Sequence, residues 1–230
     1  MDTNLDKIKE ISKSLLNVEI VEDIKSPIPF LVQHPFTNSA IVSDRNNHKQ
    51  DGKKTSDMLN LFEKEGRKRW INNMTNVIDE SNSVNKILFM INKPYRLTFL
   101  KYTKDYMSKK DFAETLAYAY TTEENPNSDV NVPVKLLIKW FKEADKKYLM
   151  TEEDYSVWKN LPEAFTVYRG VSVGRVDKGI SWTRDKSEAE WFANRFGKGH
   201  ILELQITKDM ALAYFDIRNE KEVVVDIYAK

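Results

Sequence analysis

The chain has 230 residues, 41% hydrophobic and 11% aromatic, with 36 Lys and Arg against 35 Asp and Glu for a formal charge of +1. That length and apolar content suit one compact domain, or a small domain with a sizeable accessory region, and exclude wholesale disorder. The absence of cysteine excludes a disulfide framework, a thiolate metal site and a Cys nucleophile, and the near-neutral charge argues against bulk nucleic-acid binding.

In chain order, MDTNLDKIKEISKSLL carries early acidic residues and no apolar stretch of its own, so no secretion signal is expected. No apolar run approaches a bilayer span, and a cytoplasmic protein without a membrane partner is the expectation. Leu5, Ile8, Ile11 and Leu15 recur at helical spacing and predict a first amphipathic helix. From Lys25 to Thr55 the pattern breaks into turn-rich polar stretches that suit a surface loop. A second helix is expected from Ser56 to Asp79, and KILFMIN at 86–92 reads equally as a strand or a buried helical turn. Ser108 with Asp111, and Thr151 with Asp154, have the capping-box pattern that opens a helix. Between them VKLLIKWFKEADKKY has helical periodicity, so residues 1–160 read as a mainly helical accessory region. Trp140, Phe141, Tyr148 and Trp158, with Tyr118 and Tyr120, are expected to be packing residues.

After Pro162 the texture changes. AFTVYRG and GISWT predict short strands, Asp185 caps a helix through KSEAEWFANRF closed by Gly197, and HILELQI and EVVVDIY predict two more strands. The fold class expected is therefore α+β, with a small mixed core over 161–230. Five of the nine Arg residues (Arg169, Arg175, Arg184, Arg195, Arg218) fall in the last 62 residues, which directs the search for a phosphate site to this tail.

Three triplets at strand positions carry the chemistry: Tyr168-Arg169-Gly170, Ser181-Trp182-Thr183 and Glu220-Lys221-Glu222. An Arg at a strand end can hold a diphosphate through its planar fork, and the following Gly lets a ligand approach the backbone. Ser181 and Thr183, two apart on a strand, share a face and can orient a carboxylate. Glu220 and Glu222 also share a face by that spacing. One of them can stabilise an oxocarbenium-like centre while the other takes a proton.

This order of residues resembles the ADP-ribosyltransferase superfamily, in its toxin-like clade with an Arg–Ser–Glu signature. The resemblance covers roughly 163–230 and implies an ADP-ribosyltransferase-like catalytic core at 161–230, following the accessory region at 1–160. It implies that Arg169, Gly170, Ser181, Trp182 and Thr183 bind NAD, used as a substrate. Glu222, Glu220 and Ser181 would be catalytic, Glu222 holding the ribose hydroxyl and Glu220 going with arginine as acceptor. Ala189, Trp191 and Phe192 suit the helix that follows the serine triplet, and Tyr214 and Phe215 resemble the loop that recognises the acceptor. The chain departs from the family between Arg169 and Ser181, where only eleven residues stand in place of a helix and longer loop.

The activity implied is mono-ADP-ribosyl transfer from NAD to a protein, with nicotinamide released. NAD glycohydrolysis and a catalytically silent binding module are the alternatives, and a nucleic-acid acceptor stays open. The Lys- and Asn-rich composition suggests an AT-rich genome, and family analogy adds a bacterial or bacteriophage setting. No metal is expected: His34, His48 and His200 lack ligand spacing. His34, before Pro35, is expected to make a polar turn contact. GVSVG at 170–174 lacks the Lys-Ser/Thr ending of a phosphate-binding loop.

Overall fold

The computed structural model of the chain describes residues 2–22, 30–44, 49–50, 53–54, 58–124, 126, 129, 131–217 and 219–229. The fold is α+β and divides into two compact units, Met1–Met107 and Ser108–Lys230. Helices expected to belong to an accessory region ending near residue 160 therefore lie in the same unit as the C-terminal strands. His48, Arg218 and half of the polar SDRNNHKQDGKK segment fall outside the described residues.

The first unit opens with α1 (Leu5–Leu15), capped by the Asn4 side chain and buried along Ile8 and Ser12. Short strands β1 (Val21–Glu22), β2 (Leu31–His34) and β3 (Thr37–Ser39) form an antiparallel sheet. Strands β4 (Ile41–Ser43) and β7 (Met58–Asn60) pair with each other, as do β5 (Lys49–Gln50) and β6 (Lys53–Lys54). These strands occupy part of the stretch that turn residues had marked as loop, because two- to four-residue strands leave too short a period to read. Helix α2 (Lys64–Asp79) starts at Lys64, not Ser56, since residues 58–60 pair in the β4–β7 ribbon. KILFMIN resolves as helical, with α3 spanning Val84–Leu88, and α4 spans Arg96–Thr103. Ile8, Trp70, Ile78, Ile87, Leu97 and Phe99 are buried in this unit.

The second unit begins with α5 (Lys109–Thr122), where Ser108 Oγ accepts from the Asp111 amide at 3.0 Å as the capping pattern predicts. Helices α6 (Val134–Glu143), α7 (Lys146–Leu149) and α8 (Glu152–Lys159) follow, the last capped by Thr151. Five strands make one antiparallel sheet: β8 (Ala164–Val171), β9 (Ser181–Thr183), β10 (His200–Thr207), β11 (Ala211–Phe215) and β12 (Glu222–Val225). Their spatial order is β10-β8-β9-β12-β11. Helix α9 (Lys186–Asn194) is capped by Asp185 and packs on β8.

Aromatic packing ties the helices to the sheet. Tyr120 of α5 meets Phe141 of α6 edge-on at 5.0 Å between ring centres and lies 6.1 Å from Phe215 of β11. Trp158 Nε1 of α8 donates to the Ala211 carbonyl of β11 at 2.8 Å. Trp140 and Phe141 are core residues, as expected, whereas Tyr148 is exposed. Val223, Val224 and Val225 are fully buried, so β12 is covered on both faces, which is where a run of β-branched residues belongs. The strand β11 was not anticipated. Tyr214 and Phe215, likened above to an acceptor loop, are buried on β11; ALAYF pairs with β12 and its aromatics fill the core.

Candidate active site

Sheet register brings the three triplets together. Thr183 of β9 is the cross-strand partner of both Tyr168 of β8 and Glu222 of β12. Residues far apart in sequence thus lie on three adjacent strands and line one cleft, together with the end of α5, the loop after β8 and the end of α9. The cleft measures about 170 Å³. Sites that enclose a whole ligand commonly span about 300–1,000 Å³, so this cleft would take part of an extended ligand and leave the rest at the surface.

Glu222 is half-buried at the start of β12, and its Oε1 accepts a 2.7 Å hydrogen bond from the Tyr120 hydroxyl. Tyr120 is almost fully buried. Burial first, then the Glu222 charge, pushes its phenol well above the ordinary value of 10, although the neighbouring Ser181 hydroxyl and Arg169 pull the other way. Tyr120 is therefore a permanent donor to Glu222 near neutral pH. It was expected to be a packing residue; a Tyr in an apolar helix 102 residues before its partner carries no local sign of this role.

Arg169 reaches into the cleft from β8, but its fork faces the protein. Nη1 donates to the Ser181 carbonyl at 2.9 Å, Nε to Asp177 O at 3.2 Å and Nη2 to Val176 O at 3.3 Å. Burial disfavours its charge, and the nearby Tyr120, Glu222 and Asp177 favour it. A Cβ on Gly179 would lie 2.5 Å from Arg169 Nη2, so the loop packs closely over the guanidinium at Gly179. Arg169 thus shapes the loop after β8 and fixes the edge of β9, with three of its five N–H donors on backbone carbonyls.

Gly170 lines the cleft, but the space left by its missing side chain belongs to α9. A Cβ there would sit 2.1 Å from Ala189 O and 2.6 Å from Ala193 N. Ala189 and Phe192 accordingly face β8 and the cleft, while Trp191 is exposed. Trp182 Nε1 donates to Gly179 O at 2.8 Å, holding the loop from the other side.

Glu220 and Glu222 both line the cleft, though not by strand alternation. Glu220 lies in the turn before β12, and Lys221 between them has a left-handed φ of 46°. That turn is clamped. Thr183 Oγ1 donates to Glu220 O at 2.7 Å, Lys221 N donates to Asp216 Oδ1 at 3.0 Å, and Lys221 Nζ pairs with Asp185 Oδ2 at 2.9 Å. The hydrogen bonds of Ser187 and Lys221 drive the Asp185 carboxyl far below its usual range. Thr183, read as a ligand residue, thus holds the backbone of Glu220.

The lining is acidic where α5 meets β12 (Glu123, Glu124, Glu220, Glu222) and basic where the loop after β8 meets α9 (Arg175, Arg195). His34 ends β2 in the first unit, fully buried, with its Nδ1 accepting from Phe36 N at 3.1 Å in the turn contact expected. His200 pairs with Asp177 at 2.8 Å. Among the described residues no group of three or more His, Asp or Glu is placed to hold a metal ion, and no helix is long and apolar enough to cross a membrane. No protein-family model, curated protein or solved structure matches the chain.

Proposed function

We propose that the chain is a mono-ADP-ribosyltransferase that uses NAD as its substrate and modifies a protein acceptor at arginine. The observation that carries this reading is the convergence of Arg169, Ser181, Glu220 and Glu222 on one cleft from three neighbouring strands and the turn before β12. The charge pattern supports it as well. A dinucleotide with a cationic nicotinamide and an anionic diphosphate matches a cleft that is acidic at one end and basic at the other.

NAD supplies an ADP-ribosyl group attached to nicotinamide, a ready leaving group. The work of the chain is electrostatic. Tyr120 holds the Glu222 carboxylate where positive charge on the ribose would develop, and a pre-set charge in a shielded site needs no reorganisation at that moment. Glu220, whose backbone is clamped by Thr183, would receive an incoming guanidinium and accept its proton. A reaction of this kind fits a cytoplasmic setting.

The test uses NAD labelled on its adenylate, incubated with a bacterial lysate and either the wild-type chain or Glu222→Gln. Label on protein that disappears with the variant is the expected result. Nicotinamide release without protein label would replace the transferase by a glycohydrolase. A folded wild type that neither binds nor cleaves NAD would leave the silent binding module, the reading that the engaged donors of Arg169 favour.

A further inference from the structure

The residue that the motif assigns to phosphate has three of its donors turned onto backbone carbonyls, and the cleft contains two further guanidiniums. Arg175 and Arg195 both line it and both are exposed. Among the described residues neither is paired with a carboxylate.

Their segments are fastened to each other. Arg175 N donates to Ser172 O at 3.0 Å, closing a turn in which Gly174 has a φ of 78°, the geometry that suits glycine at the third position. Ser172 Oγ donates to Phe192 O of α9 at 2.8 Å. Val173 Cγ2 lies 3.5 Å from the position that a Cβ on Gly197 would take. The turn carrying Arg175 is therefore held against the end of α9 that carries Arg195. The Arg195 guanidinium lies 5.0 Å from the Phe196 ring centre and 5.3 Å from that of Trp191. Ring contacts of this kind steady a guanidinium while leaving in-plane N–H donors for a ligand. The carboxylate on the same loop, Asp177, is engaged by His200.

We propose that Arg175 and Arg195 form the anion subsite of the cleft and hold the diphosphate of a nucleotide, with Arg169 shaping the loop beneath it. The identity of that nucleotide as NAD rests on the function proposed above. The subsite itself asks only for a diphosphate, which two guanidiniums meet with charge-assisted hydrogen bonds from both sides.

The probe is ADP, which carries the diphosphate and no nicotinamide. Calorimetric titration of the full chain compares wild type with Arg175→Gln, Arg195→Gln, the double variant, and Lys178→Gln as a control on the same loop but outside the cleft lining. Each arginine variant is expected to weaken ADP binding about tenfold, the size of one lost hydrogen bond between charged groups. The double variant should weaken it further and the lysine control hardly at all, with thermal midpoints unchanged because both arginines are exposed. ADP affinity preserved in the double variant, lost equally with Lys178→Gln, or absent from wild type overturns the subsite. NAD cleavage by the same preparations separates the two ideas: arginine-dependent ADP binding without NAD cleavage keeps the subsite and removes the transferase.

Discussion

Removing one oxygen atom tests how the site is built. In Tyr120→Phe the ring keeps its packing against Phe141 and Phe215, so no cavity opens, and what is lost is the 2.7 Å bond to Glu222. A hydrogen bond to a charged group contributes about 1.5–3 kcal/mol. Glu222 is only half-buried and can recover water in the cleft, which places the expected loss of stability at the lower end, about 1–2 kcal/mol. For a unit of this size that corresponds to a fall of roughly 3–8 °C in the thermal midpoint. The catalytic effect has a different signature. Loosening Glu222 should lower kcat for NAD cleavage by about tenfold or more, as loss of a group that orients a reacting residue commonly does, with KM little changed. Because the phenol stays protonated well above pH 10, the ratio of variant to wild-type kcat should be flat between pH 6 and pH 9. Thermal unfolding by circular dichroism and initial rates of nicotinamide release measure the two. A variant with wild-type kcat and midpoint would show that Tyr120 does not position Glu222. A midpoint that falls while kcat holds would make the Tyr120–Glu222 bond a structural contact only.

Glu222→Gln keeps the shape of the site and removes its charge; nicotinamide release should fall by about 10²–10³-fold, the scale of losing one electrostatic stabiliser, with NAD affinity within a few-fold by titration. Gly170→Ala would drive a methyl into the backbone of α9, and overpacking of this kind should destabilise the second unit by about 1–3 kcal/mol or more, read from urea unfolding; an unchanged midpoint would mean that α9 shifts freely on β8. His34 is held neutral by burial, its imidazole lowered to about 4 from 6.5. The folded state resists a proton that the unfolded chain accepts below pH 6.5, so His34 contributes stability that is complete above pH 6.5 and lost as the pH falls toward 4. The first unit should be about 2 kcal/mol less stable at pH 5 than at pH 8 on this account. Phenylalanine at position 34 should flatten that dependence, and a slope that survives the substitution would assign it to other groups.

The parts of the fold legible in the sequence are those written in local chemistry. Ser108, Thr151 and Asp185 cap α5, α8 and α9 in the structure, because a cap is a contact two or three residues long. Strands β8, β10 and β12 show themselves through β-branched and aromatic runs. The boundary between the units was not legible, since nothing near Met107 and Ser108 departs in composition from its surroundings. What ties α5, α6 and α8 to the C-terminal strands is the meeting of Tyr120, Phe141 and Trp158 with β11. Partners that far apart leave no period and no spacing to read. Strand β11 was hidden for a related reason: ALAYF is short, apolar and without alternation, so only its pairing with β12 identifies it as a strand.

The candidate site divides along the same line, and the division matters for how its residues are assigned. Residue type and order were enough to gather Arg169, Ser181, Thr183, Glu220 and Glu222 into one constellation, and all five line the cleft. Their individual tasks depend on backbone geometry that residue type does not carry. Arg169 serves the loop because Gly179 leaves room for its guanidinium and the carbonyls of residues 176, 177 and 181 turn toward it. Thr183 serves Glu220 because Lys221, in a left-handed conformation, turns the preceding carbonyl toward β9. Only eleven residues separate Arg169 from Ser181, and the Arg169 side chain lies among them, with donors on the carbonyls of residues 176, 177 and 181. An anion subsite at Arg175 and Arg195, as proposed above, would then take the phosphate role that the motif assigns to Arg169.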